Sequence, residues 1–116
     1  MKTYTGGCHC GKVRYEVSMD LKGTMTCNCS HCSKKGFVLA FVPANQFKLL
    51  SGKDNLAEYQ FNKKMIHHLF CKTCGVQSFG KGKSPDGSPT VAVNLRCVDD
   101  LDYSKLPTTE YNGKAL

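Results

Sequence analysis

The sequence contains no tryptophan, and phenylalanine and tyrosine together make up only 9% of its 116 residues. A chain of this length forms one domain with a modest core, so this scarcity of aromatic side chains makes additional cross-links useful for stability. The longest apolar run, residues 37–42, is far shorter than the roughly 20 residues that a membrane-spanning helix needs. Residues 1–7 include no apolar stretch of the kind found in secretory signals. We therefore predict a single cytoplasmic domain over residues 1–116, with neither membrane insertion nor secretion.

Acidic residues are also scarce, because 9 Asp and Glu oppose 16 Lys and Arg to give a formal net charge of +7. A basic domain of this kind is compatible with a zinc-ribbon protein that binds nucleic acid. However, the lysines are dispersed along the chain, and neither an aromatic platform nor a base-reading helix is evident. We therefore do not expect a nucleic-acid partner, although charge alone leaves that alternative open.

Cysteine, by contrast, is abundant, and its eight residues have a regular spacing. Because the cytosol keeps thiols reduced, a disulfide framework is disfavoured. Two cysteines separated by one residue do not bond each other easily but can chelate one ion, and the C-x-x-C pair before Gly75 also has metal-ligand spacing. Cysteine sulfur favours zinc. The cysteines fall into three groups and a singleton: Cys8 and Cys10; Cys27, Cys29 and Cys32; Cys71 and Cys74; and Cys97.

These groups suggest two zinc ions per chain with different roles. A structural zinc takes four protein ligands, whereas a reactive zinc keeps one coordination position open. The group Cys27, Cys29 and Cys32 is self-contained and supplies three thiols, which predicts the open site. The two remaining pairs predict a closed site whose binding energy would add to the folding energy. The ligands of that closed site would be Cys8, Cys10, Cys71 and Cys74.

The three-cysteine group has an alternative interpretation as a second structural site completed by a fourth ligand. The candidates for that ligand are His31, His67, His68 and Cys97. We expect His31, between two cysteines, to point away from the metal. His67 and His68 are adjacent on a predicted strand, so only one can face inward, and we expect neither to be a ligand. Cys97 is predicted to pack in the core as a small hydrophobic residue.

The hydrophobic pattern predicts a mainly β structure. Residues 13–17 alternate between polar and apolar, as in a half-buried strand, and the run 37–42 before Pro43 indicates a buried one. Residues 80–89, rich in Gly, Ser, Pro and Lys, are predicted to form an exposed loop. The acidic residues Asp99, Asp100 and Asp102 are interpreted as a solvated turn, with one helical turn in the tail that follows. The predicted strands are 13–17, 37–42, 47–50, 56–61, 65–70, 76–79 and 90–95, with residues 62–64 joining the fourth and fifth.

Four segments resemble, in order, the motifs of a known family. They are GGCHCGKVRYE at 6–16, CNCSHCSKKG at 27–36, GKDNLAEY at 52–59 and FCKTCG at 70–75. The family is that of the glutathione-dependent formaldehyde-activating enzymes, which also includes centromere protein V. The resemblance implies a β-tent fold of stacked antiparallel sheets with zinc-binding cysteine knuckles, shared with a small zinc accessory factor of Rab GTPases. It also implies a structural zinc at the four-cysteine set and a catalytic zinc at Cys27, Cys29 and Cys32.

The same resemblance implies a carbon–sulfur lyase comparable with S-hydroxymethylglutathione synthase. Such an enzyme forms or cleaves an adduct between an aldehyde and a small thiol such as glutathione. Lys34 and Lys35 could attract a thiol that carries carboxylates. The chain has Asn28 where many members have histidine, and Ser33-Lys34 where they have an Arg-Lys pair, so the substrate does not carry over with the cysteines. The alternative is a non-catalytic zinc-binding module for a protein partner.

Overall fold

The computed structural model describes residues 1–60 and 66–112. Strands dominate this part of the chain, as the sequence predicts, and helices are short. Single 3-10 turns lie at Ala44–Gln46, Lys53–Asn55, Leu95–Cys97 and Tyr103–Lys105. The other elements are β1 (Lys2–Gly7), β2 (Arg14–Met19), β3 (Met25–Cys27), α1 (Ser30–Lys35), β4 (Leu39–Pro43), β5 (Phe47–Ser51), β6 (Leu56–Tyr59), β7 (His67–Cys71), β8 (Phe79–Lys83), β9 (Pro89–Asn94) and β10 (Thr109–Tyr111).

The strands form two sheets. The smaller has the order β1-β2-β5, and the larger has the order β10-β3-β4-β9-β8-β7-β6. Neighbouring strands are antiparallel in both sheets, except that β10 pairs with β3 in the parallel direction. The prediction of stacked, largely antiparallel sheets is therefore confirmed, with one parallel pair at the edge of the larger sheet.

The core lies where the two sheets face each other. Tyr15 on β2 is completely buried, and its ring stacks on Phe47 with centroids 5.1 Å apart. The ring of Phe79 on β8 meets Tyr15 edge-on at 6.3 Å and lies 4.7 Å from Phe47. Aromatic pairs of this kind add about 0.5–1.5 kcal/mol beyond their buried area. Three of the few aromatic residues thus join the two sheets in a core that has no tryptophan.

The opposite face of the larger sheet contains a row of residues with small side chains at its centre. Phe41 of β4 pairs with Ala92 of β9, Ala92 pairs with Gly80 of β8, and Gly80 pairs with His68 of β7. The residues on either side of Phe41 and Ala92 belong to the core, so by strand alternation this row faces away from it. The methyl group of Ala92 and the missing side chain at Gly80 leave a hollow between Phe41 and His68.

The prediction of a loop over residues 80–89 is wrong for its first half. Strand β8 continues to Lys83 and pairs on one side with β7 and on the other with β9. Glycine and lysine have low strand propensity, but ladder hydrogen bonds on both edges outweigh it here. Only residues 84–88 form the connecting turn, in which the amide of Ser84 donates to the carbonyl of Ser88 at 2.9 Å.

Other differences concern short elements. Strands β1, β3 and β10 and helix α1 are additions to the predicted set, and of the predicted strand 76–79 only Phe79 lies in a strand. The predicted connection 62–64 and the strand residues 61 and 65 lie outside the described residues. Strands β3 and β10 have too few residues for a hydrophobic period to be recognised, and β1, with the sequence KTYTGG, has no apolar alternation.

Candidate metal centres and active-site cavity

A four-cysteine cluster joins the two sheets. Cys8 and Cys10 follow β1 of the smaller sheet, whereas Cys71 ends β7 of the larger sheet and Cys74 lies in the turn after it. All four sulfur atoms lie within 4.8 Å of one another. The sulfur of Cys10 is 3.6 Å from those of Cys8 and Cys71, and all eight cysteines of the chain are free thiols.

Hydrogen bonds to the sulfur atoms prepare this cluster for negative charge. The amide of Val13 donates to the sulfur of Cys8 at 3.3 Å, and the side-chain amide of Asn55 donates to that of Cys71 at 3.2 Å. Hydrogen bonds from the backbone of Val76 and Cys10 lower the pKa of Cys74 to about 6. Three of the four sulfurs have this support, which suits the thiolate ligands of a closed tetrahedral zinc site.

A three-cysteine cluster is built around the short helix α1. Cys27 ends β3, Cys29 is the N-cap of α1, and Cys32 lies in the first turn; their sulfurs are within 4.8 Å of one another. The sulfur of Cys29 accepts a hydrogen bond from the amide of Cys32 at 3.3 Å, as a serine oxygen does at an N-cap. Gly36, with φ of 70°, ends the helix, and its amide donates to the carbonyl of Cys32. Because all three cysteines are only half-buried, a ligand can reach them.

Within residues 1–60 and 66–112, no further His, Cys, Asp or Glu joins these three in a group that could hold a metal ion. His67 is exposed and pairs with the carboxylate of Glu58. The ring of His31 lies 4.1 Å from that of His68. Cys97 is half-buried in the 3-10 turn after β9, and its sulfur accepts a hydrogen bond from the side chain of Asn94 at 3.5 Å.

The three-cysteine cluster opens onto a cavity of about 190 Å³ on the outward face of the larger sheet. His68 and Gln77 contribute polar groups to its wall, and both are buried. Burial, followed by the nearby His31 and Lys35, lowers the pKa of His68 to about 4, so its imidazole is neutral at pH 7. The lining residues are Met25, Cys27, Cys29, Cys32, Phe37, Leu39, Phe41, Ile66, His68, Gln77, Phe79, Gly80, Ala92, Asn94 and Tyr111.

A second cavity, of about 320 Å³, shares Gln77 with the first. It contains the positive charges of Lys34 and Lys35, which follow Cys32 on α1. The ammonium of Lys35 lies 5.8 Å from the centroid of Phe70, within the range of a cation–π interaction. The remaining lining residues are His31, Tyr59 and Phe70.

Comparison with known proteins identifies the family. Residues 3–113 match the family described as "Glutathione-dependent formaldehyde-activating enzyme". The chain belongs to this family. Its structure is similar to the crystal structure of a Rhodobacter sphaeroides protein, with a TM-score of 0.78 and 28% identity over 90% of this chain and 99% of that one. Among the described residues, none of the helices has the length and apolarity that spanning a bilayer requires.

For a member of the formaldehyde-activating enzyme family, both clusters have suitable donor chemistry for zinc, since soft thiolates are preferred ligands of this ion. Asn28 donates from its side chain to Glu110 at 3.2 Å and to Asn112 at 2.9 Å. These hydrogen bonds connect the backbone between Cys27 and Cys29 to β10 and to the residue that follows it.

Sequence reasoning did not single out Gln77, Phe41 or Ala92 as site residues. Gln77 follows the C-x-x-C turn in an irregular segment, where no local pattern marks a polar side chain as buried. Strand alternation does indicate that only one of His67 and His68 can be buried. The structure shows that it is His68, which lies in the wall of the cavity on the outward face of the larger sheet.

Proposed function

We propose that this chain is a zinc-dependent carbon–sulfur lyase of the glutathione-dependent formaldehyde-activating type, which forms or cleaves an adduct between a small thiol and an aldehyde. Family membership supports substrates of these two classes. The observation that carries the proposal is the half-buried three-cysteine cluster, which has a cavity beside it and three thiol ligands rather than four among the described residues. We also propose that residues 1–116 act as one domain.

We assign two Zn²⁺ ions to the chain. The three-cysteine cluster Cys27, Cys29 and Cys32 would hold the catalytic ion. When bound there, zinc would lower the pKa of an incoming thiol and so supply the thiolate nucleophile. The ligands of the structural ion would be Cys8, Cys10, Cys71 and Cys74.

The proposed reaction needs no oxidant or reductant. In the forward direction, a bond forms between the thiol sulfur and the carbonyl carbon, and the thiol proton is transferred to the carbonyl oxygen. In the reverse direction, the carbon–sulfur bond breaks and the hydroxyl proton returns to sulfur. Lys34 and Lys35 in the second cavity would hold carboxylates of the thiol. The neutral imidazole of His68 and the amide of Gln77 would offer hydrogen bonds to the aldehyde oxygen.

The replacement Cys29→Ser tests this proposal with little risk to the helix. Serine is among the best N-cap residues, so the variant keeps a cap for α1 while removing one thiolate. We expect the zinc content to fall from two ions to one, the fold to persist, and the formation of S-hydroxymethylglutathione from formaldehyde and glutathione to fall to the uncatalysed rate. Metal analysis, circular dichroism and an NMR assay of the adduct measure the three effects.

Cys97→Ser is the matched control, because it removes a half-buried thiol outside both clusters. It should leave both zinc ions and the activity unchanged. If the Cys29→Ser variant does not fold, the three-cysteine cluster has a structural role instead. A fully zinc-loaded wild-type protein without turnover on any thiol–aldehyde pair would favour a non-catalytic module.

A further inference from the structure

The cavity beside the three-cysteine cluster has an apolar floor whose shape follows from strand register. Ala92 and Gly80 are paired neighbours at its centre, while Phe41 stands on one side and His68 on the other. Leu39, two residues before Phe41 on β4, lies on the same face and is buried. The hollow is therefore a built feature of the central strands of the larger sheet.

The rim of the cavity is apolar as well. Phe41, Ile66 and Tyr111 all line it, with exposed fractions of 49%, 53% and 47%. Large hydrophobic side chains are costly to expose together, and such clusters commonly mark binding sites. Two strands, β4 and β10, and the residue before β7 thus direct apolar surface toward the same opening.

Charged groups are distributed unequally between the two cavities. In the described part of the chain, no Lys, Arg, Asp or Glu lines the cavity with the apolar rim, whereas Lys34 and Lys35 line the second one. Away from the cysteine sulfurs, a carboxylate or ammonium group moved into the first cavity would lose its hydration without gaining an ionic partner. A hydrocarbon group would instead gain free energy from burial there.

The volume sets the size of the hydrocarbon group. An apolar cavity of about 150 Å³ is sufficient to bind benzene. At about 190 Å³, this cavity has room for a chain or ring of about six carbons next to the cysteine sulfurs. Formaldehyde, which has no substituent on its carbonyl carbon, would leave that space unfilled.

On this basis, and resting on the proposed function, we propose that the aldehyde-derived half of the adduct carries an apolar substituent of about six carbons, which binds in this cavity. The substituent contacts Phe41, Ala92 and Gly80, and the thiol-derived half extends toward Lys34 and Lys35. The bonds formed and broken are those of the reaction above, because the substituent takes no part in the chemistry.

Binding of straight-chain alcohols tests the inference without turnover, since an alcohol lacks the reacting carbonyl group. The zinc-loaded full chain is titrated with 1-butanol, 1-pentanol and 1-hexanol, and backbone amide shifts are followed by NMR. We expect affinity to rise about fourfold with each added methylene, with the largest shifts at Gly80 and Ala92. No dependence on chain length, or shifts confined to residues away from these two, would overturn the proposal.

Two pairs of variants locate the binding. Ala92→Leu fills the cavity and should weaken 1-hexanol binding about tenfold or more, whereas Ala57→Leu, at a half-buried strand residue that does not line the cavity, should not. Phe41→Lys places a charge at the rim, and Leu50→Lys places one at a residue of the same 49% exposure elsewhere. Phe41→Lys should weaken 1-hexanol binding and Leu50→Lys should not. If Ala92→Leu does not fold, these two lysine variants test the location of binding on their own. Equal effects within both pairs would contradict the proposal.

Turnover measurements separate this inference from the proposed function. Heptanal, which carries a six-carbon substituent, and formaldehyde are each offered with glutathione, and adduct formation is followed by NMR with and without the protein. A larger enhancement over the uncatalysed rate with heptanal supports both conclusions. Turnover of formaldehyde without alcohol binding would overturn the apolar substituent and leave the lyase function standing. Alcohol binding in the cavity without turnover of either aldehyde would overturn the lyase function and leave the apolar binding site standing.

Discussion

Cysteine occupies three kinds of environment in this chain, and the surrounding atoms differ in each. Cys71 is completely buried and accepts a hydrogen bond from Asn55, which suits a permanent thiolate ligand. Cys29 is half-buried at the end of a helix, where a ligand can approach. Cys97 is held beside Asn94 outside both clusters, and burial raises the pKa of its thiol. Burial and hydrogen bonding therefore distinguish residues that sequence spacing alone treats as equivalent.

An ion pair connects the acidic segment to the smaller sheet. The guanidinium of Arg14 donates to the carboxylate of Asp99, which also accepts a hydrogen bond from the hydroxyl of Thr5 at 2.9 Å. The hydrogen bond from Arg14 lowers the pKa of Asp99. A carboxyl with a depressed pKa adds stability above its unfolded pKa, near 3.9, and that stability is lost as pH falls through the folded value.

We predict that Asp99→Asn lowers the free energy of unfolding by less than about 1 kcal/mol at pH 7, because both partners are more than a third exposed. The difference from wild type should shrink as pH falls below about 4. Urea denaturation at pH 7 and at the lowest pH that retains both zinc ions measures it. Asp100→Asn removes the same charge at the next residue, whose φ of 57° asparagine tolerates, and should have a smaller effect. A loss that is equal for the two variants or independent of pH would contradict the assignment.

At the level of elements, the best predicted strands are those with a clear hydrophobic pattern. The expected strand at 13–17 corresponds to β2, and the one at 90–95 to β9. Strand β8 was missed because its residues Gly80, Lys81, Gly82 and Lys83 have no apolar period, and its position between β7 and β9 is a tertiary property. Helix α1 was missed because a six-residue helix depends on its caps, and here the N-cap is a cysteine.

The turn after β5 depends on a glycine for two separate reasons. Gly52 has φ of 90°, and a Cβ there would lie 2.4 Å from the carbonyl oxygen of Lys12 and 2.8 Å from the Cα of Val13. Gly87, in the turn between β8 and β9, has φ of 86°, but a Cβ there would have no atom within 4 Å. Any residue with a Cβ would be strained at both positions because of the positive φ. Only at Gly52 would its Cβ also collide with the backbone.

We predict that Gly87→Ala lowers the free energy of unfolding by about 1–2 kcal/mol, the usual cost of a left-handed alanine. Gly52→Ala should lower it by clearly more, because the chain around Lys12 must move away. Thermal and urea unfolding of both variants provide the comparison. Similar losses for the two would show that the segment from Cys10 to Val13 shifts at little cost, which would also weaken its proposed part in the four-cysteine site.

In the whole molecule, the hydrophobic core and the cavity beside the three-cysteine cluster lie on opposite faces of the larger sheet. One of its faces packs on the smaller sheet through Phe79, and the other bears the apolar cavity and the three-cysteine cluster. The three cysteine groups could be recognised from their spacing, because each group is local in sequence. The cavity could not, because it needs Phe41, Ala92, Gly80 and His68 from four strands in one register. The register between strands that are distant in sequence cannot be recognised from the sequence of any one strand.

The four-cysteine cluster connects residues that are 61 positions apart, as between Cys10 and Cys71, and it joins the two sheets at one end. A structural zinc site contributes about 10–16 kcal/mol, whereas the net stability of a domain is about 5–15 kcal/mol. If zinc occupies the site as proposed, the binding free energy lost with that ion is comparable to the whole stability of the fold. Loss of an ion from the three-cysteine cluster would leave the junction between the sheets intact.

We therefore predict that Cys10→Ser unfolds the chain or abolishes its cooperative thermal transition. Cys10 is exposed, so a serine there would otherwise change stability by only about 0.5 kcal/mol or less.

Two other variants serve as controls. Cys32→Ser should lose one zinc but keep a cooperative transition, and Cys97→Ser should retain both ions. Metal analysis and calorimetry distinguish the three variants, and hydrogen exchange should show lost protection in β1 and β2 for Cys10→Ser. A folded Cys10→Ser protein with two bound zinc ions would exclude Cys10 as a ligand. Equal destabilisation by Cys10→Ser and Cys32→Ser would show that the two sites do not differ in their structural role.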